Sequence, residues 1–323
     1  MTILSRRHLA LAAAAMIASA SAAMTAEYPE RPVTVVIPYA AGGAGDTIMR
    51  LLSPLIEKGL GQPLIVDNRA GGGGTIGAQA VAKAAPDGHT LILGATNNFV
   101  INQFLFPKVS FDPLASFELI TKVADVPSVL YASLSAPPTL SQFIAHAKAN
   151  PGKLSYASPS VGTTPHLSVE RLKQLAGIDL VHIPYRGAPP AMQALVANEV
   201  HLYLAGWGVG KAQVETGRVR ALAVASRERV PNVPLATAIE SGVPGYVTSN
   251  WWGLAAPHGT PRPVLDKIYQ TVRAALADPA AAQRLNDMGF VPGGEPPQKF
   301  LDEAKAEAKI WAETISRGKL AIE

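Results

Sequence analysis

Ser160 is the residue of this 323-residue chain best placed to act as a nucleophile. It lies in "SPSVGTTPH" (158–166), between a short apolar run and a helical pattern. The sharp turn that exposes a catalytic serine reads G-x-S-x-G. Gly162 supplies the second glycine here, but Ser158 stands in the place of the first. His166, His182 and His201 could each serve as a base, and no acid is spaced to orient them. His166 falls in a first helical turn and the other two in strands, where a histidine commonly does no more than pack. An exported serine hydrolase acting on a small acyl substrate is therefore the alternative reading.

Two glycine-rich turns invite comparison with nucleotide sites. "PYAAGGAGDTIMR" (38–50) contains Gly43-x-Gly45, but Ile48 occupies the third glycine position of G-x-G-x-x-G. Asp67 ends the next strand, about where a ribose-binding acid would fall. "NRAGGGGTIGAQ" (68–79) has Ala78 and Gln79 after Gly77, where a phosphate-binding loop needs Lys and Ser or Thr. No nucleotide cofactor is expected. The seven histidines show no H-x3-H or H-E-x-x-H spacing, and cysteine is absent. That gives no ligand set for a metal and no disulfide or thiolate chemistry.

What these turns share is a strand entering a helix through glycine. The first N–H groups of a helix have no intrahelical partner and sit at the positive end of its dipole, so they can hold an anion without a cationic side chain. "GTTP" (162–165) places Thr163 and Thr164 at such a start, with Pro165 suited to the first turn. Either threonine could instead cap its own helix. Asp46 marks another helix start, as an N-cap, a ligand contact or both. "PYRGAPPA" (184–191) adds Tyr185, Arg186 and Gly187 at a further junction. The pattern points to an anion that is bound and left unchanged.

The elements that must position these turns alternate along the chain. Apolar runs at 33–38, 63–68, 90–95, 153–158, 180–185, 200–205 and 220–226 read as strands, with helical patterns at 46–58, 76–83, 140–149, 165–175 and 189–197. That alternation predicts βαβ units and a mostly parallel sheet. The last 65 residues turn helical, at 263–277, 279–288 and 297–316, and Phe300, Ala304, Ala308, Trp311 and Ile315 fall on one face. Two long extended segments, 117–133 and 242–257, break the alternation. If both cross between α/β units, residues 27–124 and 246–323 form one domain and 125–245 the other, joined by a hinge of two crossings.

The N-terminus predicts the compartment. Residues 1–26 combine Arg6 and Arg7, an apolar run from Leu9 to Ala18, and small residues at Ala20 and Ala22. This is a signal peptide, cleaved between Ala22 and Ala26, and its apolar run is shorter than the roughly 20 residues needed to span a membrane. "SRRHL" partly matches a twin-arginine signal, so both export routes stay open. The formal charge is +4, or +2 once Arg6 and Arg7 are removed, and the basic residues are scattered. A nucleic-acid partner is not expected.

The chain resembles the Bug, or TctC-type, extracytoplasmic solute receptors of tripartite tricarboxylate transporters. The resemblance is carried by "PYAAGGAGDTIMR", "VDNRAGGGGTIGAQAVAKAAPDGHTLILG", "LSYASPSVGTTPHLSVERL", "HIPYRGAPPAMQAL", "GRVRALAVASRERVPNVPLATAIESGVPGY" and "WWGLAAPHGTPRPVLDKI", in order over the whole mature chain. It implies an α/β, two-domain fold of the type II periplasmic-binding-protein kind. It further implies a monomer in the periplasm that captures a small carboxylate (a di- or tricarboxylate, an amino acid or an aromatic acid), partly through bridging water, and delivers it to membrane subunits. By matched position the ligand-binding residues would be Tyr39, Gly43, Asp46, Thr96, Asn97 and Asn98 on one side. Ser158, Gly162, Thr163, Thr164, Arg186 and Trp207 would face them. The chain departs from the family in "NEVHLYLAGWGVG", where His201 and Leu202 replace the usual acid and Trp207 replaces a small residue. Trp207 is then either a stacking wall for an aromatic acid or a core residue.

Overall fold

The computed structural model describes residues 28–106, 112–248 and 250–321; the expected signal peptide lies outside them. The chain opens with β1 (Val33–Ile37), α1 (Ala44–Leu60), β2 (Leu64–Asn68), α2 (Thr75–Ala82) and β3 (Thr90–Ala95). In α1 the residues Ile48, Met49, Leu52, Ile56 and Leu60 recur at helical spacing and are all buried, which lays the helix against the sheet. The helix stops at Gly61, whose left-handed backbone lets its N–H reach Glu57 O at 2.8 Å.

β4 (Phe117–Asp125) and β5 (Ser128–Ala132) make up the first long extended segment, parted only by Val126 and Pro127. Then follow α3 (Leu140–Ala149), β6 (Ser155–Ser158), α4 (Thr164–Ala176), β7 (Val181–Pro184), α5 (Ala188–Val196), β8 (Leu202–Gly206), α6 (Trp207–Glu215) and β9 (Arg220–Val224). The second long segment yields β10 (Trp251–Pro257). The chain finishes with α7 (Arg262–Leu276), α8 (Pro279–Asp287), β11 (Val291–Pro292) and α9 (Pro297–Gly318).

The strands form two sheets, ordered β11-β4-β10-β3-β1-β2 and β7-β6-β8-β5-β9. β4 therefore belongs to one sheet and β5 to the other, while β10 returns the chain to the first. The expectation of mostly parallel sheets needs correction. β1 pairs in parallel with β2 and β3, and β6 with β7 and β8, but every pairing of β4, β5, β9, β10 and β11 is antiparallel. Parallel neighbours need a crossover helix between them. Helices separate the consecutive strands of β1-β2-β3 and of β6-β7-β8, whereas β4 and β5 follow one another directly and enter different sheets.

Each sheet has a core on both faces. The predicted stripe of α9 (Phe300, Ala304, Ala308, Trp311 and Ile315) is buried, in a cluster that also takes in Leu167 of α4. The last helix thus touches the second sheet's layer as well: Gln174 Nε2 donates to Thr314 O at 3.0 Å. No described helix is long and apolar enough to cross a membrane.

Candidate functional site

The glycine and helix-start turns lie where the parallel strands end. On the first sheet these are the segments after β1, β2 and β3; on the second, the segments after β6, β7 and β8. The two sets meet at Asn97. Its Nδ2 donates to Gly162 O at 3.1 Å, and its Oδ1 accepts from Thr164 Oγ1 at 2.6 Å. A side chain following β3 thereby grips both ends of the turn that opens α4.

Amides and glycines shape the first-sheet side. Asn98, buried at the end of β3, accepts from Ala95 N at 2.9 Å and from Tyr39 OH at 3.1 Å, and donates to Gly74 O at 3.2 Å. One carboxamide ties three loops together. Gly71 to Gly74 all have positive φ, and a Cβ on Gly74 would lie 2.4 Å from Asn98 Nδ2. Only glycine fits there. Tyr39 is half-buried, packs edge-on to Trp252 at 5.3 Å, and burial raises its phenol well above the ordinary range. Thr96 is buried and its hydroxyl accepts from Trp251 N at 2.9 Å.

Asp46 serves differently from a helix cap. The N-cap of α1 is Gly43, which is exposed and lacks a side chain to satisfy the helix. Asp46 sits one turn in, accepts from Gly42 N at 3.0 Å and takes Arg50 Nε at 3.0 Å on each oxygen. That bond to Arg50 holds its carboxyl below the usual carboxylate range. Asp46 is thus the brace of the first glycine turn.

Hydroxyls and imidazoles shape the second-sheet side. Ser158 Oγ donates to Ser160 O at 2.9 Å and lies 2.7 Å from His182 Nε2. Thr163 Oγ1 also donates to Ser160 O, at 2.8 Å, so this hydroxyl folds the turn and does not cap α4. Gly162 N donates to His166 Nδ1 at 3.1 Å. Thr163 is the N-cap of α4 and Pro165 has no N–H, which leaves Thr164 and His166 to offer the helix's first free amides.

Arg186 is exposed beyond β7, between Tyr185 and Gly187, whose N–H groups donate to Ser158 O at 2.8 Å and to Pro159 O at 2.9 Å. Trp207 is 6 % exposed and packs with Val129, Tyr131 and Tyr203, and its N–H donates to Pro127 O at 2.9 Å. It is a core residue bonded to the β4–β5 connection. His201 accepts from Ser155 N at 3.0 Å between β8 and β6.

The hydrolase reading finds little to work with. Ser160 is exposed, and it is Ser158 that meets a histidine. Ser158 is fully buried, and with His182 donating to it and its own proton on Ser160 O, both contacts are met without activating the oxygen. Among the described residues no group of three or more His, Asp or Glu could hold a metal. A cavity of about 510 Å³ lies elsewhere, lined by Leu114, Phe117, Leu119, Arg262 and Leu301. Its walls are mostly apolar and no helix-start amides converge on it, so the junction at Asn97 remains the better site.

The expected ligand-binding set left out Trp252, and it left out His166, which was weighed only as a base. Trp252 lies against Gly45, where a Cβ would meet its ring at 2.3 Å. Nothing local to either residue announces that contact. His166 was visible in "GTTPH" as the residue one turn beyond Gly162.

Two α/β layers with helix-start turns facing one another define a solute-binding receptor of the periplasmic-binding-protein kind. Residues 48–320 match the family model described as tripartite tricarboxylate transporter family receptor, TctC, and the chain belongs to that family. It is 37% identical over 314 residues to a Pseudomonas sp. (strain P51) protein described as a UPF0065 protein in the tcbD-tcbE intergenic region, covering 96% of this chain and 93% of that one. Among solved structures it is similar to R. palustris Rpa4515 with adipate, at TM-score 0.80 and 33% identity, over 91% of this chain and 99% of the other. MatC (Rpa3494) from Rhodopseudomonas palustris with bound malate gives TM-score 0.76 and 34% identity, over 89% and 100%. The expected family and fold class are thereby borne out.

Proposed function

We propose that this receptor captures a small carboxylate between its two sheets and delivers it, in the periplasm, to membrane subunits of a tripartite transporter. The observation that carries this reading is the junction at Asn97, where a first-sheet side chain meets the uncapped start of α4. A carboxylate seated there would take its hydrogen bonds from the amides of Thr164 and His166 and from the glycine turn after β1, without a cation. The relatives solved with adipate and malate support a dicarboxylate as the first candidate. Residues 27–124 with 246–323 would form one lobe and 125–245 the other, closing about the β4–β5 and β9–β10 connections. The protein acts as a monomer and performs no reaction on its ligand.

A thermal-shift panel tests this directly, because a ligand that binds only the folded state raises the melting temperature. Adipate, malate, aromatic acids and amino acids are compared with neutral sugars and amines. The expected result is a rise with one or more acids only, accompanied by a smaller radius of gyration in small-angle scattering. A rise with none of the acids would refute the reading.

A further inference from the structure

The turn between β6 and α4 is built over a histidine pair. Gly162 N donates to His166 Nδ1 at 3.1 Å, back across the first turn of α4. An acceptor at Nδ1 requires the neutral ring with its proton on Nε2. The ring is buried and stacks on His182, with centroids 4.1 Å apart and planes 20° from parallel. His182 stacks in turn on Tyr156 at 4.8 Å and holds Ser158 Oγ at 2.7 Å. Two imidazoles therefore hold the two ends of one turn, Ser158 and Gly162. The ionisable groups around them are Tyr156, whose hydroxyl donates to Glu170 at 2.5 Å, and Lys173, which pairs with Glu170 at 3.0 Å and approaches Asp179 at 3.8 Å. Asn97 reaches the same turn from the first sheet.

We propose that His166 is a positioning residue of the carboxylate site: its neutral Nδ1 fixes the Gly162 amide and so the aim of the free helix-start N–H groups. Protonating that nitrogen disassembles the turn and releases the bound acid. The added proton occupies the lone pair on which the Gly162 N–H already points, so two donors face each other and the turn must open. Burial, reinforced by the neighbouring His182, pushes His166 down to about 4, with Glu170 opposing. The turn is then intact at neutral pH and fails only in strong acid. This inference rests on the start of α4 being the carboxylate site.

Two measurements on the full-length mature protein test it. ¹⁵N NMR of the histidine rings reads Nδ1 of His166 without any ligand; an unprotonated, hydrogen-bonded Nδ1 at pH 7 is expected. Calorimetry with adipate, or the panel acid giving the largest melting shift, compares His166→Leu and His166→Asn. Asn places an oxygen where Nδ1 was and cannot be protonated. His166→Leu should bind at least about tenfold more weakly at pH 7, and His166→Asn within about threefold of the parent. From pH 7 to about pH 3.5 the parent should lose about fourfold more affinity than His166→Asn, since protonation of the acid itself is common to both. If His166→Leu does not fold, the Asn comparison and the ring signal still decide. A protonated Nδ1 at pH 7, parent-like binding by His166→Leu, or identical pH profiles would overturn the inference while leaving the receptor reading in place. Failure of every acid to bind the parent would overturn both.

Discussion

The two sides of the junction build the same kind of strand-to-helix turn with different chemistry. On the first sheet, Asn98 and four consecutive positive-φ glycines set the loops, and the ionised Asp46 is paired with Arg50. On the second sheet, Ser158, Thr163, His166 and His182 do the corresponding work. A carboxamide has no titration near neutral pH, whereas an imidazole does. The first side is therefore limited by steric fit and the second by protonation.

The largest effect expected follows from steric fit. Gly74→Val must place its side chain against Asn98 and Tyr39 at φ +88°, which should cost about 2–5 kcal/mol from backbone strain and overpacking. Gly177→Ala, at the end of α4, has φ +62° and open space around it, and should cost about 1 kcal/mol. Urea melts of the two variants measure the difference. Equal losses would mean that the first side is not sterically set.

The protonation side sharpens the contrast under acid. His166 and His182 are both held below the ordinary histidine range by burial, His166 to about 4. The unfolded chain then binds more protons than the folded one below about pH 6.5. Stability is fully present above that pH and is lost as pH falls toward 4, by about 3 kcal/mol for His166 alone. Denaturation of the parent and of His166→Asn across this window should show the slope flattened in the variant. An unchanged slope would break the comparison.

The link between the sides should be the smallest term. Asn97→Ala and Thr164→Ala each remove the 2.6 Å bond that joins them. Each should lower stability by about 1 kcal/mol, with a coupling of about 0.5–1.5 kcal/mol in the double-mutant cycle. Additive losses would mean that the bond contributes nothing to holding the turns together.

Much of this arrangement was legible in the sequence. Hydrophobic period located the strands and helices, and glycine placement located the turns, because both are properties of short stretches. The sense of the pairing was not legible for β4, β5, β9 and β10, since it depends on which sheet an extended segment joins. The choice of partners was equally hidden. Asn97 meets Gly162 across 65 residues, and Thr96 meets Trp251 across 155. Thr163 could be placed at the helix start from "GTTP", but its hydroxyl's choice of Ser160 O depends on the shape of the folded turn.

The central claim is that backbone amides at the start of α4 hold the carboxylate, and Thr164 allows it to be tested at a single position. Thr164→Ala removes the hydroxyl and keeps the N–H. Thr164→Pro removes both, and suits a first helical position preceded by Thr163 at φ −75°, ψ 156°. Calorimetric titration of adipate, or of the acid found in the panel, into both variants isolates the amide, with melting temperatures confirming that each is folded. The amide account predicts that Thr164→Pro binds more weakly than Thr164→Ala by about 1.5–3 kcal/mol, the range for a hydrogen bond to a charged group. Equal affinities would contradict it.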